Sequence, residues 1–263
     1  MCGITGINAF NEAGRFHLIN LQKSVDVLEH RGPDAQGTYI DDRIGLGHRR
    51  LAVIDTSSRA NQPMKDPTGR YILVYNGEIY NFLELRSLLE EKHQIHFKTQ
   101  SDTEVLLHVY IYYGEQCLEM LNGFFAFAIY DRIERTMFIA RDRYGIKPLY
   151  YYQDEDKLLF ASELRSILAY GIQRSLQTES LVLYLQLNYI PAPFSILNGI
   201  YKLLPGHYIK IRKKEVQVTK YYDLADQIAG FPKTPKETPK ISLIEKLDNS
   251  IRKRLISDVR IFS

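Results

Sequence analysis

Residues 123–131 read GFFAFAIYD, an uninterrupted apolar run that predicts a strand buried on both faces. Similar apolar runs follow at 137–140 and 149–152. Strands covered on both faces usually belong to parallel sheets, but a parallel pair needs a connection of a dozen or more residues, and the connections here are shorter. We therefore expect antiparallel strands that face a second sheet on one side and helices on the other. The predicted fold is α+β, a four-layer α-β-β-α sandwich of two antiparallel sheets.

Shorter apolar or alternating runs on both sides of this segment predict the remaining strands. The run at 70–76 ends at Asn76-Gly77, a pair typical of turns, although the segment after it has a helical pattern. The other strands are expected near residues 2–10, 37–41, 44–49, 158–163, 206–212 and 215–221.

Apolar residues at helical spacing predict helices between these strands. Asn81 and Ser101 are each followed three residues later by a glutamate, which is typical of a capped helix start. Asp102 then stands in a first turn, where a negative charge favours the helix dipole. Helices are expected over 17–30, near 178–188 and over 241–259. Two more are expected to begin at 81 and at 101, and another to run from the end of the strand at 158–163 to about residue 170.

The pattern breaks near the end of the chain, where residues 231–240 read FPKTPKETPK, a Pro/Lys-rich linker. We expect a main domain over 1–212, the end of a hairpin and the linker over 213–240, and the truncated start of a second domain over 241–263. The last predicted helix has an apolar stripe with little left to pack on, formed by Ile244, Leu247, Ile251 and Leu255.

Composition narrows the possible classes of protein. The 263 residues are 45% hydrophobic and 25% charged, the usual share for a globular protein. The net charge is +3 without a basic stripe, so we expect no nucleic-acid partner. Two cysteines make no disulfide framework. Neither a secretory signal nor a run of about 20 apolar residues is present, so we predict a cytoplasmic protein without membrane contact.

Cys2 directly follows the initiator methionine. If Met1 is removed, Cys2 carries a free α-amine, whose ordinary pKa is about 7.7–8.0, beside its own thiol. A base beside a thiol can make it a nucleophile. The alternative is a small buried hydrophobic residue at the start of a strand.

Six segments occur in a fixed order along the chain: Met1–Ile4, Arg31–Asp34, Arg50–Asp55, Tyr75–Asn81, Ser101–Glu104 and Arg141–Tyr150. Together they resemble the glutaminase half of glutamine-hydrolysing asparagine synthetase, a class II glutamine amidotransferase of the N-terminal-nucleophile hydrolase type. The resemblance is strong over 1–212 and weaker through 241–259.

The resemblance implies a role for each matching site residue. It makes Cys2 the nucleophile, and it places the Asn76 side chain and the Gly77 backbone N–H in an oxyanion hole. Arg50 matches the residue that binds the substrate α-carboxylate. Neighbouring residues of a strand face opposite ways, so we expect Arg49 to be a solvated charge. The backbone of Leu51, Ala52, Val53 and Ile54 is expected to line the pocket, with Glu78 and Asp102 receiving the α-ammonium group.

The implied reaction is hydrolysis of glutamine to glutamate and ammonia through a Cys2 thioester. In the family the ammonia passes to an ATP-pyrophosphatase-type synthetase domain that adenylates aspartate, and that domain is the expected partner. Its phosphate loop follows the stretch that matches Leu255–Val259, where this sequence has Arg260-Ile261-Phe262-Ser263. We therefore expect no ATP, Mg²⁺, other metal or other cofactor in this chain. A homodimer is possible.

Three alternatives remain open. His48 or His30 could activate the cysteine as a Cys–His dyad. The ammonia could go to another acceptor, such as a sugar phosphate. The chain could also be a non-catalytic remnant that only binds glutamine or a partner.

Overall fold

The computed structural model describes residues 1–229 and 240–259, and for 240–242 it describes the backbone alone. Within these residues the strands form two six-stranded antiparallel sheets. The strands are β1 (Gly3–Ala9), β2 (Ala35–Asp41), β3 (Ile44–Arg50), β4 (Met64–Lys65), β5 (Tyr71–Ile79), β6 (Gly123–Asp131), β7 (Thr136–Arg141), β8 (Tyr150–Gln153), β9 (Lys157–Ala161), β10 (Ile200–Lys202), β11 (His207–Arg212) and β12 (Glu215–Lys220).

The order of strands is β10-β8-β9-β1-β3-β2 in the first sheet and β12-β11-β7-β6-β5-β4 in the second. The α-helices of the described residues are α1 (Glu12–Arg15), α2 (Leu21–Asp26), α3 (Phe82–His93), α4 (Asp102–Tyr113), α5 (Cys117–Met120), α6 (Leu164–Leu168), α7 (Thr178–Leu187), α8 (Leu224–Ala229) and α9 (Lys240–Arg254). Helices α2 and α6 pack on the outer face of the first sheet and α3, α4 and α5 on that of the second, whereas α7, α8 and α9 are largely exposed. No helix in the described ranges has the length and apolar character needed to cross a membrane.

Three separate apolar cores confirm the predicted four layers. Side chains of β6 show how one strand serves two of them. Phe125, Phe127 and Ile129 pack in the core beneath α3 and α4, whereas Ala126 and Ala128 pack in the core between the two sheets. The third core lies between the first sheet and α2 with α6. A strand with both faces covered is apolar at every position, which is why the run at 123–131 shows no alternation.

Some local predictions were wrong. The helix expected over 17–30 is a short 3-10 helix at Phe16–Asn20, then α2, then a second 3-10 helix at Glu29–Arg31. Asn81 precedes α3 without capping it, because its side chain accepts from Asn122 N (2.9 Å) and donates to Met120 O (3.0 Å). Ser101 does cap α4, accepting from the backbone N–H of Glu104 at 3.3 Å.

The end of the chain agrees with the sequence in part. Helix α8 lies within residues 213–240, where only the end of a hairpin and the linker were expected. The Pro/Lys-rich linker lies almost wholly in 230–239, outside the described residues, as do residues 260–263. The predicted apolar stripe is exposed to solvent. It consists of Ile244, Leu247 and Ile251 in α9 and of Leu255 directly after the helix.

Candidate active site

Cys2 stands one residue before β1, at the end of the sandwich where β3 also ends. Arg31 fixes the backbone there: its Nε donates to Cys2 O at 2.9 Å, and its Nη1 pairs with Glu163 Oε1 at 3.1 Å. The Cys2 thiol lies against Leu51, with 3.4 Å from Leu51 N to Sγ and 3.6 Å from Sγ to Leu51 O. The start of the chain is therefore held against the loop that follows Arg50.

Burial controls the protonation of both groups at the start of the chain. It raises the pKa of the Cys2 thiol, and the Leu51 N–H and the terminal ammonium oppose this only in part. Burial also lowers the pKa of the terminal amine, which belongs to Met1 in this structure. A thiol with a raised pKa needs a base to become a nucleophile, and an amine with a lowered pKa is more often neutral near pH 7.

Asn76 and Gly77 lie in the interior of β5, so the turn expected at this pair is wrong. Each is paired with β6, Asn76 opposite Ala126 and Gly77 opposite Phe125. A Cβ at Gly77 would stand 2.4 Å from Phe124 O. Glycine is therefore required here by the close approach of a neighbouring strand and not by a turn.

The side chain of Asn76 has an unusual hydrogen-bonding state. The residue is 1% exposed, and in the described part of the chain its Nδ2 atom is buried without an acceptor. An unsatisfied buried donor costs about 1–3 kcal/mol, so such groups are expected to serve a ligand or a reaction.

Arg50 ends β3 and is buried, and its guanidinium donates hydrogen bonds to the loop that follows it. Nη1 donates to Ser57 O and Asn61 Oδ1, both at 2.8 Å. Nη2 donates to Ile54 O at 3.3 Å and to Asp55 O. The guanidinium thus organises the 51–61 loop, and a carboxylate bound by its terminal nitrogens has to share them with these acceptors.

Arg49 is not a solvated charge as predicted. It is 9% exposed, and it donates to Val25 O and to Asp26 Oδ1, both at 3.3 Å. Neighbouring residues of a strand do face opposite ways, but both faces of β3 are covered, so the second face points under α2 and not into water.

Two carboxylates, those of Glu78 and Asp102, also line the site. Asp102 Oδ2 accepts from Tyr75 Oη (2.8 Å) and from Ile79 N (3.0 Å). Burial raises the pKa of Asp102 to about 6, and the neighbouring charge of Glu78 adds to this. Burial also raises the pKa of Glu78, which Lys147 opposes. A cation bound between them would favour the ionised form of both.

These residues surround one cavity of about 240 Å³. That is below the roughly 300–1,000 Å³ of pockets for drug-sized molecules and suits an amino acid. All but one of the predicted site residues line it, namely Cys2, Arg50, Leu51, Val53, Ile54, Asn76, Gly77, Glu78 and Asp102. The exception is Ala52, whose N–H donates away from the cavity to Asp34 Oδ2 at 2.8 Å.

Sequence reasoning missed five further lining residues: Met1, Gln62, Tyr75, Thr103 and Lys147. Met1, Tyr75 and Thr103 each stand next to a predicted site residue in the sequence, whereas Lys147 lies in the matching segment Arg141–Tyr150 far from any of them. Gln62 stands in a loop without a pattern, and its Oε1 accepts from Tyr75 N at 2.6 Å. Nothing in the sequence around Gln62 indicates this contact.

The segment 141–150 presents Lys147 by an internal network. Arg141 Nε donates to Lys147 O (2.8 Å) and its Nη2 to Gly145 O (2.7 Å). The carboxylate of Asp142 accepts from the backbone N–H of Tyr144, Ile146 and Lys147, each at 3.0 Å. Gly145 has φ +65°, which a residue with a side chain rarely adopts.

Neither histidine of the alternative Cys–His dyad lines the cavity. His48 is buried between the sheets, where its Nε2 lies 3.0 Å from Tyr75 O and burial lowers its pKa to about 3. His30 is at the surface beside Glu163 and Arg165. The geometry therefore gives the dyad no support. In the described ranges, moreover, no group of three or more His, Cys, Asp or Glu residues is arranged to hold a metal ion.

Comparison with known proteins bears on the whole of this domain. The sequence profile of the glutamine amidotransferase domain matches residues 1–222. Glutamine-hydrolysing asparagine synthetase 1 of Bacillus subtilis is 37% identical over 81% of this chain and 34% of its own length. An amidase of Gibberella zeae is 34% identical over 98% of this chain and 40% of its own length. The chain spans about half the length, or less, of the first curated relatives it matches.

Solved structures share the fold. Glutamine phosphoribosylpyrophosphate amidotransferase of Bacillus subtilis, complexed with ADP and GMP, superposes with a TM-score of 0.61 and 23% identity. The superposition covers 84% of this chain and 49% of that one. The similarity confirms the expected sandwich of two antiparallel sheets, and the profile match confirms the resemblance found in the sequence. This chain belongs to the glutamine amidotransferase domain family.

Proposed function

We propose that this chain hydrolyses glutamine to glutamate and ammonia through a thioester on Cys2, as the ammonia-supplying half of an enzyme of the asparagine synthetase type. One observation carries the proposal. The Cys2 thiol and the Asn76 Nδ2 atom, which has no acceptor among the residues that the structure describes, share an amino-acid-sized cavity with two carboxylates. Those are the groups needed to attack an amide, to stabilise its oxyanion and to hold an α-ammonium group.

The first half of the reaction begins after removal of Met1. The freed Cys2 amine, directly or through one water, takes the thiol proton. The thiolate attacks the carboxamide carbon, and the oxyanion accepts hydrogen bonds from Asn76 Nδ2 and the Gly77 backbone N–H. The ammonium proton then goes to the leaving nitrogen, the C–N bond breaks, and ammonia departs. A glutamyl thioester on Cys2 remains.

The second half uses one water molecule. The same amine takes a proton from the water as its oxygen attacks the thioester carbon. The C–S bond breaks, the sulfur recovers the proton, and glutamate leaves. The sum is glutamine and water to glutamate and ammonia, with Cys2 regenerated.

Recognition follows from the charges around the cavity. Glu78 and Asp102 receive the substrate ammonium, which pairs with them as the carboxylates ionise. Arg50 receives the α-carboxylate while it keeps part of its bonding to the 51–61 loop. Val53 and Ile54 line the same cavity.

A matched cysteine pair tests the proposal. Cys2→Ala should abolish ammonia release from glutamine, whereas Cys117→Ala should retain it, because Cys117 is buried in the core beneath α4. An electrophilic analogue of glutamine should label the wild-type chain on the Cys2 peptide, as located by mass spectrometry. Labelling elsewhere, or activity in the Cys2 variant, contradicts the mechanism. Binding of glutamine by calorimetry without turnover would identify a non-catalytic remnant.

A second candidate function differs only in what is made from the released ammonia. It is favoured by the fungal amidases of Gibberella zeae and Penicillium rubens, which are 34% and 35% identical to this chain over nearly all of its length. The ammonia-accepting domain or subunit would then differ from an aspartate-adenylating one. Assays of ammonia transfer with candidate acceptors in the presence of ATP, using the protein that contains any region beyond residue 263, separate the two.

The domain boundaries are proposed with the function. Residues 1–212 form the glutaminase domain in this scheme, and residues 241–263 begin the synthetase domain. The glutaminase step as written needs no cofactor, and this remains a prediction that dialysis against a chelator tests.

A further inference from the structure

The segment that follows α9 contacts the loop that lines the proposed glutamine cavity. Lys253 Nζ pairs with Glu84 Oε1 at 2.9 Å. The guanidinium of Arg254 stacks over the rings of Tyr80 (4.7 Å) and Phe124 (5.2 Å). These contacts bring residues 255–259 to the loop that walls the cavity.

Asp258 holds this loop at two points on either side of Ile54. Its Oδ2 accepts from Asp55 N at 2.7 Å, and its backbone N–H donates to Val53 O at 3.0 Å. The side chain and the backbone of one residue therefore fix three consecutive residues of the cavity wall, although 203 positions separate Asp258 from Asp55.

The residues that are held in this way also hold Arg50. The carbonyls of Ile54 and Asp55 both accept from Arg50 Nη2. Asp55 has φ +48°, an uncommon conformation for a residue with a side chain, so it persists only when its surroundings maintain it. Its carboxylate is tied to Gln100 N at 2.8 Å, and its N–H is tied to Asp258.

We infer that Asp258 is a positioning residue for glutamine binding, which acts through the 53–55 loop on Arg50. The inference rests on the proposed function. It also links the two regions of the chain, because any movement of residues 255–259 releases the loop that orients the carboxylate-binding arginine. Glutamine affinity then reports on the position of the segment after α9.

The test compares Asp258→Ala with Asp258→Asn and with Asp248→Ala. Asn keeps an acceptor oxygen for Asp55 N. Asp248 lies in α9, ten residues before Asp258, and pairs only with Arg252, at 2.6 Å, among the described residues. Asp258→Ala should raise KM for glutamine about tenfold, as for loss of a hydrogen bond to a charged acceptor, with kcat within about twofold. Asp258→Asn should recover most of the affinity, and Asp248→Ala should match the wild type.

Hydrogen exchange supplies a readout that needs no turnover. The amide of Asp55 should exchange faster in Asp258→Ala than in the wild type or in Asp248→Ala. If the wild type is active and Asp258→Ala has the same KM and the same exchange rate at Asp55, the positioning role is overturned and the proposed function stands. A wild type that neither turns over glutamine nor forms the Cys2 adduct overturns the proposed function, and exchange at Asp55 then still decides whether Asp258 holds the loop.

Discussion

Replacing Asn76 by alanine separates catalysis from stability in this fold. The Nδ2 donor is buried and unpaired within the described residues, so the fold gains no hydrogen bond from it. If it is the oxyanion donor, its loss should lower kcat by about 10²–10³-fold, or about 2.7–4 kcal/mol of transition-state stabilisation. The free energy of unfolding should change by less than about 1 kcal/mol, because the variant also loses an unsatisfied buried donor that costs about 1–3 kcal/mol.

Asn81 provides the matched control. Its side chain bonds Met120 O and Asn122 N, and it lies outside the cavity lining. Asn81→Ala should lose about 1–3 kcal/mol of stability for the two partners left without it, with kcat close to the wild type. The assays are steady-state ammonia release and urea unfolding of the two variants beside the wild type.

If Asn76→Ala unfolds much more easily than the wild type but turns over glutamine at the same kcat, Asn76 is a structural residue. The unpaired state of its amide would then have no catalytic meaning. A fall in kcat with unchanged KM and unchanged stability is the expected pattern, since the oxyanion exists only in the transition state and intermediate.

Three further predictions follow from the same site. An extension before Cys2 that keeps its amine from being exposed should lower ammonia release at least about 100-fold, as expected for loss of a positioned general base. The intact mass of the protein shows whether the extension is retained. Full activity with the extension attached would exclude the amine as the base. Asp102, with its pKa raised to about 6, binds protons in the native state that the unfolded chain has released, so it lowers stability as pH rises from about 4 to 6. Asp102→Asn should therefore raise the free energy of unfolding at pH 7 by about 1–3 kcal/mol, while it also raises KM for glutamine. The KM of the wild type should itself rise as the pH falls below about 6. A KM that does not depend on pH contradicts ionisation of Asp102 on binding. Arg49→Ala should lower the free energy of unfolding, measured by heat or urea, by about 1–3 kcal/mol, because Val25 O and Asp26 lose their donor. The value of kcat should change little. An unchanged stability would show that the buried contacts of Arg49 contribute nothing.

The comparison of sequence and structure is most informative at β3 and β5. The apolar runs correctly predicted where these strands lie, but the pair Asn76-Gly77 was read as a turn because such pairs usually make one. Tertiary packing decides otherwise, since β6 pairs along the whole segment and approaches Gly77 too closely for a side chain. Arg49 was misjudged for the same reason, because the covering of the second face of β3 by α2 depends on chain packing and not on strand periodicity.

The sequence by itself determined the class of fold and the positions of most strands, because apolar periodicity and short connections are local properties of a chain. Its six ordered motifs indicated the family by resemblance, and with it nine of the residues that line the cavity. Only the tertiary structure decided that Ala52 turns away, that Gln62 and Lys147 join the wall, and that Arg50 is already bonded to its own loop. These facts depend on which distant backbone groups meet in space, as when Asp258 meets Asp55, and no spacing along the sequence encodes such meetings.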